Sequence, residues 1–265
     1  MTDIPSMTYY TFIADDERHA PVLLIPGFAS PGLQVWHTTG WIKKLNAAGF
    51  SCYVFDLPYH TPENPDESAS HTAQLPASST LEVTGQELYS AVSEALAGFI
   101  ESLSTQAHVV GFSAGARISW ELASTHSAVV KTLTVGGLPP HSEFGDLREY
   151  LSSVVGGTPH APESLNPMFV QLVEQTPISA QALEQFVNLP QQFNFDPSVT
   201  APQCPTLVVA GTADTVSGSP AWLTRALETQ QVPHQELLIE GRNHINTLTS
   251  GVFKKAVIDW ASTAE

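Results

Sequence analysis

The feature that most constrains this sequence is the run G-F-S-A-G at residues 111–115. The β-branched pair Val109 and Val110 precedes it, as at the end of a buried strand, and a helical pattern begins directly after Ser113. So sharp a turn from strand to helix needs residues without bulky side chains, which the two glycines supply. It also holds the central serine in a strained conformation, with its hydroxyl exposed above the sheet edge. Ser113 is therefore a candidate nucleophile, provided that suitable partners lie elsewhere in the chain.

Strand and helix patterns alternate along most of the chain. Strands are predicted at residues 8–13, 22–25, 52–55, 129–135, 206–210 and 236–239, in addition to the one before Ser113. Helices are predicted at residues 36–48, 81–103, 114–124, 220–230 and 251–261, the second of them opened by an S-x-x-E capping box at residues 79–82. Such alternation indicates parallel strands joined by right-handed crossovers. We therefore predict an α/β fold with a mostly parallel central sheet flanked by helices.

Two segments interrupt this alternation. Residues 138–202 are rich in proline and contain helical fragments at 167–175 and 179–188 without a strand pattern. We predict that they form a helical cap inserted into a core made of residues 1–137 and 203–265. Residues 61–79 are polar, rich in Pro, Ser and Glu, and without periodicity. A loop of this length is usually functional, so we expect it to form a wall or an entrance of the site.

Composition excludes several classes of partner. The chain carries 10 basic and 26 acidic residues, a net charge of −16, which argues against nucleic acid and anionic membrane surfaces. We expect no membrane insertion, because no apolar run approaches the roughly 18 residues of a membrane span. The N-terminal sequence lacks the pattern of a secretion signal, so we expect a cytoplasmic protein. Cys52 and Cys204 lie in strand-like runs without metal-ligand spacing, so we expect buried thiols, no metal and no cofactor. The sequence leaves the oligomeric state open.

A serine nucleophile needs a histidine base, and the base needs an acid that orients it. In an open parallel sheet these groups lie on loops at the carboxyl ends of strands. Asp214 follows the strand that ends at residue 210, whereas the rival acids Asp196 and Asp259 do not lie at a strand end. We therefore select Asp214 as the acid.

His244 follows the strand that ends at residue 239 and lies in a loop that contains Gly241. His60 is the one serious competitor among the ten histidines, since it also follows a strand, but it precedes the serine in the chain. We select His244 as the base.

Acyl chemistry also requires N–H donors for the charge that develops on the carbonyl oxygen. One donor is expected to be the amide of Ala114, directly after the serine and at a helix N-terminus. The other is expected to be the amide of Phe28, in the Gly/Pro loop after the strand at residues 22–25. This assignment depends on position alone, because the backbone supplies the donor.

The order of the G-x-S-x-G run, Asp214 and His244 resembles that of the α/β-hydrolase superfamily. Residues 26–28, Pro-Gly-Phe, match the place where that family usually carries His-Gly before its oxyanion residue. Residues 56–60, Asp-Leu-Pro-Tyr-His, resemble its D-x-P-G-H segment, with Tyr59 in place of glycine. The resemblance implies the α/β-hydrolase fold with a cap, and a serine-nucleophile member similar to esterases, lipases and thioesterases.

The leading hypothesis is a serine hydrolase that cleaves a carboxylic ester or thioester through an acyl-enzyme. Arg148 is the only Lys or Arg in residues 138–202, which favours an uncharged, fairly apolar small-molecule substrate. Apolar side chains of this segment that could line an acyl pocket are Leu138, Met168, Phe169, Phe186 and Phe193.

Three alternatives remain open at this point. An acyltransferase or a biosynthetic thioesterase would use the same three residues, and so would a cofactor-independent lyase or C–C bond hydrolase. A ligand-binding receptor would keep the pocket without turnover.

Overall fold

The computed structural model describes residues 7–62, 71–75, 87–140, 144–189 and 195–264. The described strands are β1 (Met7–Phe12), β2 (Val22–Ile25), β3 (Cys52–Phe55), β4 (His71–Leu75), β5 (Ala107–Phe112), β6 (Val130–Gly136), β7 (Thr206–Gly211) and β8 (His234–Ile239). They form one sheet in the order β4-β1-β3-β2-β5-β6-β7-β8. Strands β3, β2, β5, β6, β7 and β8 run parallel, while β1 pairs antiparallel with both β3 and β4. The predicted mostly parallel sheet is confirmed.

The described helices are α1 (Gly32–Thr38), α2 (Trp41–Ala47), α3 (Glu87–Ser102), α4 (Ala114–Thr125), α5 (Phe144–Val155), α6 (Pro167–Gln175), α7 (Ala180–Asn188), α8 (Ala221–Thr229), α9 (His244–Leu248) and α10 (Gly251–Thr263). Helices α1, α2 and α10 pack on one face of the sheet, and α3, α4 and α8 pack on the other. Strand β2 shows why its sequence is apolar throughout: Leu23 and Ile25 face the second group, while Val22 and Leu24 face the first. Each such side chain contributes about 1.5–3 kcal/mol by leaving water.

Two predictions about local structure are wrong. The predicted helix at residues 36–48 is two helices, because Gly40 adopts a left-handed conformation (φ 79°) and separates α1 from α2. The polar segment 61–79 is not wholly a loop: β4 lies within it and pairs with β1, placing Ala73 opposite Tyr9. The rest of that segment beyond residue 62, and the predicted capping box at residues 79–82, lie outside the described residues.

Between β6 and β7 the structure describes three helices, α5, α6 and α7, and no strand in the described residues of that segment. Phe144 of α5, Phe169 of α6 and Phe186 of α7 each place their ring 6.0–6.3 Å from the ring of Phe28. Because Phe28 follows the carboxyl end of β2, the three helices lie over the sheet edge where the predicted site residues are.

Candidate active site

The turn between β5 and α4 has the strained geometry expected from its sequence. Ser113 has φ 54° and ψ −119°, a region that side-chain-bearing residues rarely occupy. Its amide donates to the carbonyl oxygen of Gly136 at 2.9 Å, which ties the turn to the end of β6. A Cβ on Gly115 would collide with the carbonyl oxygens of Ile25 and Pro26, so only glycine lets α4 start this close to β2. The local sequence therefore fixes Ser113 above the sheet.

The close approach at Gly115 predicts a large effect on stability. We expect Gly115→Ala to lower the free energy of unfolding by about 3 kcal/mol or more, since backbone carbonyls cannot move aside as a side chain can. Gly98→Ala is the matched control: Gly98 lies on the exposed side of α3 with nothing within 4 Å of an added Cβ. It should raise stability by up to about 1 kcal/mol, because alanine favours the helix. Urea unfolding of the two variants checks this, and equal effects would refute the assigned packing.

Asp214 and His244 are joined by a buried hydrogen bond. Strand β7 ends at Gly211 and β8 at Ile239, and the loops that follow place His244 Nδ1 2.8 Å from Asp214 Oδ2. Both residues are only 5% exposed. His244 is the first residue of the short helix α9, whose N-cap Asn243 makes a capping box with Asn246. The two side chains selected from the sequence are therefore adjacent and held in place.

The environment of Asp214 favours its charged form. Its Oδ1 accepts the amides of Val216 and Ser217 at 2.8 and 3.0 Å, and its Oδ2 accepts the Ser217 hydroxyl at 2.6 Å. Burial alone would raise the pKa of this carboxyl, but the hydrogen bonds from His244 and Ser217 outweigh burial and lower the pKa below its ordinary value. The carboxylate is thus ionised at neutral pH and can stabilise a positive charge on His244. The bond to the Val216 amide closes an Asx turn, which places Ser217 next to the carboxylate; the sequence analysis did not select Ser217 as a site residue.

Ser113 and His244 line the same cavity, which has a volume of about 350 Å³. Gly27 and Gly137 allow the close packing around it: an added Cβ would lie 3.1 Å from Ser113 Cβ at the first and 3.0 Å from His244 Cε1 at the second. The cavity runs between α1, α6 and α9, with apolar side chains such as Leu172 beside polar ones such as Thr38. Among the described residues that line it there is no Asp, Glu, Lys or Arg.

Only some of the residues predicted to line an acyl pocket line the cavity. Met168 and Phe169 line the cavity. Leu138 and Phe186 do not belong to its described lining: they are 3% and 0% exposed and pack into the main core, because apolar side chains this close to the sheet are covered by the helices above it. Phe193 lies outside the described residues.

The segment from residue 27 to Gly32, the first residue of α1, passes beside Ser113 and is here called the oxyanion loop after its predicted role. It carries Phe28, and the amide of Ala114 lies directly after the serine at the start of α4. Within the described part of the chain, neither amide donates a hydrogen bond to the protein. Neither predicted donor is therefore committed to an acceptor elsewhere among the described residues.

The competitors considered from the sequence are engaged elsewhere. His60 is fully buried, with both ring nitrogens bonded to backbone groups of Pro58 and Ala29. Asp196 is exposed and closes a turn with Ser198, and Asp259 pairs with Lys255 on the exposed side of α10. Asp214 and His244 therefore remain the candidate acid and base.

The segment 56–60 has a structural role that the sequence did not reveal. Asp56 Oδ1 accepts the amide of Gly32 at 2.7 Å, and Asp56 Oδ2 accepts the hydroxyl of Tyr10 at 3.0 Å. Burial raises the pKa of Asp56 to about 6, while these hydrogen bonds act against that rise. Tyr59 adopts φ 62°, a left-handed conformation that glycine adopts more readily than tyrosine.

Two further kinds of feature are absent from the described residues. They contain no helix long and apolar enough to cross a membrane. They also contain no group of three or more His, Cys, Asp or Glu side chains arranged to hold a metal ion. Cys52 and Cys204 are free and buried, as predicted.

Comparison with known proteins identifies the family. The sequence model of the alpha/beta hydrolase family matches residues 22–252, most of the chain. The chain belongs to the alpha/beta hydrolase family. A comparison with curated protein sequences found no match.

Solved structures of other proteins share the fold of this alpha/beta hydrolase. A monoacylglycerol lipase from Paleococcus ferrophilus is 18% identical, with a TM-score of 0.60 and coverage of 97% of this chain and 98% of that one. A structure from work on carboxylesterases of Nitrososphaera gargenis is 14% identical, with a TM-score of 0.69 and coverage of 97% and 95%. A thermophilic esterase from Thermogutta terrifontis is 18% identical, with a TM-score of 0.63 and coverage of 99% and 98%. At these identities the likeness shows a common fold.

Proposed function

We propose that this alpha/beta hydrolase is a serine hydrolase that cleaves carboxylic esters or thioesters of uncharged, largely apolar substrates. The observation that carries the proposal is the buried hydrogen bond from His244 to Asp214, beside a cavity that also holds the strained Ser113. The known structures of similar fold include lipases and esterases, which agrees with this chemistry.

The reaction uses each group in turn. Ser113 Oγ attacks the carbonyl carbon and passes its proton to His244 Nε2, since Nδ1 is engaged by Asp214. The amides of Phe28 and Ala114 bind the oxygen that becomes negative. The tetrahedral intermediate then expels the alcohol or thiol, which takes the proton from His244. Water attacks the acyl-enzyme in the same way, releases the acid and restores the serine hydroxyl.

We further propose that residues 138–202 act as a cap over this site. Met168 and Phe169 of α6 line the cavity, and the rings of α5, α6 and α7 pack on Phe28. The cap would exclude water from the acyl side of the cavity, which strengthens the hydrogen bonds made to the developing charge.

The uncharged cavity lining predicts a preference among substrates. For p-nitrophenyl esters of unbranched acids, kcat/KM should rise by about fourfold per methylene until the cavity is filled, because each buried methylene is worth about 0.8 kcal/mol. An ester with a terminal carboxylate should react at least about tenfold more slowly than its uncharged counterpart, since the described lining holds no Lys or Arg to pair with the charge. Initial rates across both series test this. Equal rates for charged and uncharged esters would contradict the proposed substrate class.

The same assay separates hydrolysis from the alternatives. Hydrolysis predicts that each molecule of released p-nitrophenol is matched by one molecule of free acid, with one oxygen taken from ¹⁸O-labelled water. Incorporation of the acyl group into an added alcohol or thiol, with little free acid, would indicate a transferase. Saturable binding of esters without turnover would indicate a receptor.

A further inference from the structure

His60 makes a hydrogen bond to the oxyanion loop. Its Nε2 lies 3.0 Å from the amide nitrogen of Ala29, the residue after Phe28. Its Nδ1 lies 2.8 Å from the carbonyl oxygen of Pro58, within the turn that follows β3. The ring therefore connects the turn after β3 to the loop after β2.

These two partners determine the protonation state of His60. The Ala29 N–H can only donate and the Pro58 carbonyl can only accept, so Nε2 must be unprotonated and Nδ1 must carry the proton. The ring is fully buried, and burial lowers the pKa of His60 to about 4, which agrees with a neutral ring. Phe186 and Phe28 pack edge-on against it, with centroids 4.6 and 5.7 Å away. Because its unprotonated nitrogen already accepts the Ala29 amide, this buried ring is not placed to serve as the catalytic base, but it is a well-oriented acceptor.

The peptide that His60 contacts is held from both sides. This peptide joins Phe28 to Ala29. The Ala29 N–H donates to His60, and the Phe28 carbonyl oxygen accepts the Ser30 hydroxyl at 3.2 Å. Ala29 adopts φ 54°, a left-handed conformation that is unfavourable for alanine and persists only where surrounding contacts enforce it. Further along the loop, the Gly32 amide is held by Asp56. The loop thus depends on the segment 56–60 at two of its amides.

We propose that His60 is a positioning residue: by accepting the Ala29 amide it limits rotation about Phe28 and so aims the Phe28 amide at the oxyanion. The role rests on the proposed function, since an oxyanion forms only if Ser113 attacks a carbonyl. In this role His60 supports catalysis by orienting a backbone donor, and it takes no part in proton transfer. Catalysis by hydrogen bonding requires donors fixed before the reaction, so a loosened Phe28 amide costs rate even when the substrate still binds.

Two substitutions separate positioning from packing. His60→Leu removes the acceptor and keeps an apolar side chain against Phe28 and Phe186. His60→Gln retains an acceptor at about the position of Nε2. His108→Leu is the control. His108 is another buried histidine, 1% exposed, and it lies at the end of β5 that is remote from Ser113. Its Nδ1 lies 2.8 Å from the hydroxyl of Thr132 on β6.

The measurements are the melting temperature, kcat and KM on the best uncharged ester, and the inhibition constant of an alkylboronic acid, which forms a tetrahedral adduct with the serine. For His60→Leu we expect kcat to fall by about 10- to 10³-fold, the upper limit being the cost of deleting a donor. KM should change by less than about threefold, and the boronic acid should bind more weakly by the same factor as kcat/KM falls. His60→Gln should recover most of kcat, and His108→Leu should lower the melting temperature without this loss.

The outcomes distinguish a failure of the positioning role of His60 from a failure of the proposed function. Wild-type kcat in folded His60→Leu would overturn the positioning role, and so would a loss that His60→Gln does not restore or that His108→Leu reproduces. A wild-type protein without ester turnover would instead overturn the proposed function, because every comparison above is made relative to an active wild type.

Discussion

Ser113→Ala is expected to lower kcat for ester hydrolysis by about 10⁶-fold, the scale on which a triad nucleophile acts. The fold should survive, because the Ser113 side chain is only partly buried and its amide, which bonds to Gly136, is retained. Alanine also accepts the required φ of 54° no worse than serine. The comparison is made from kcat of both proteins on the best uncharged ester.

The control for this change is another serine. Ser93 is fully buried on α3, and its hydroxyl makes a long hydrogen bond of 3.4 Å to the Ile118 carbonyl oxygen. Ser93→Ala should retain kcat close to that of the wild type. If Ser113→Ala kept more than about a hundredth of the wild-type rate, the nucleophile would have to be sought elsewhere.

Asp214→Asn is expected to lower kcat by about 10⁴-fold. The amide is nearly the same size as the carboxylate, so the change affects charge and hydrogen bonding more than packing. It removes the negative charge that stabilises a protonated His244, and it permits the wrong tautomer of the ring at the 2.8 Å contact. KM should change little, because Asp214 does not line the cavity.

The matched control is Asp259→Asn. Asp259 was a rival acid in the sequence, and it forms an exposed pair with Lys255 on α10. Exposed pairs of this kind contribute about 0–1 kcal/mol to stability, so this variant should keep the wild-type rate. Equal losses from the two variants would show that the orientation of His244 does not depend on Asp214.

Much of the fold could be predicted from the sequence because its central strands, such as β2, β5 and β7, are buried on both faces. Strands such as β2 and β7 are short, mostly apolar runs bounded by turn residues, which is the pattern expected of a strand covered on both faces. The break between α1 and α2 escaped prediction because Gly40 could equally have been tolerated within one helix. Strand β4 escaped because the pairing with β1 supplies most of what stabilises it, while its own sequence is polar.

The same reasoning explains which site residues could be selected. Asp214 and His244 follow strands whose carboxyl ends are adjacent, so position alone brought them together. Location at a strand end could not distinguish His60 from His244, and only the order along the chain favoured His244. The hydrogen bonds of His60 to Pro58 and Ala29 now show that both of its ring nitrogens are engaged elsewhere. The pocket was predicted from apolar character only. That property cannot separate Phe169, on the cavity, from Phe186, which is fully covered by its neighbours.

The central claim is that Ser113 is activated by its neighbours, and covalent labelling tests it most directly. Wild-type protein, Ser113→Ala and His244→Ala are each treated with a fluorophosphonate, and the intact mass and the modified peptide are then measured. The account predicts one phosphonyl group per wild-type molecule, located on Ser113, none on Ser113→Ala and much slower labelling of His244→Ala. A folded wild-type protein that stays unlabelled, or one labelled equally well without Ser113, would contradict the account.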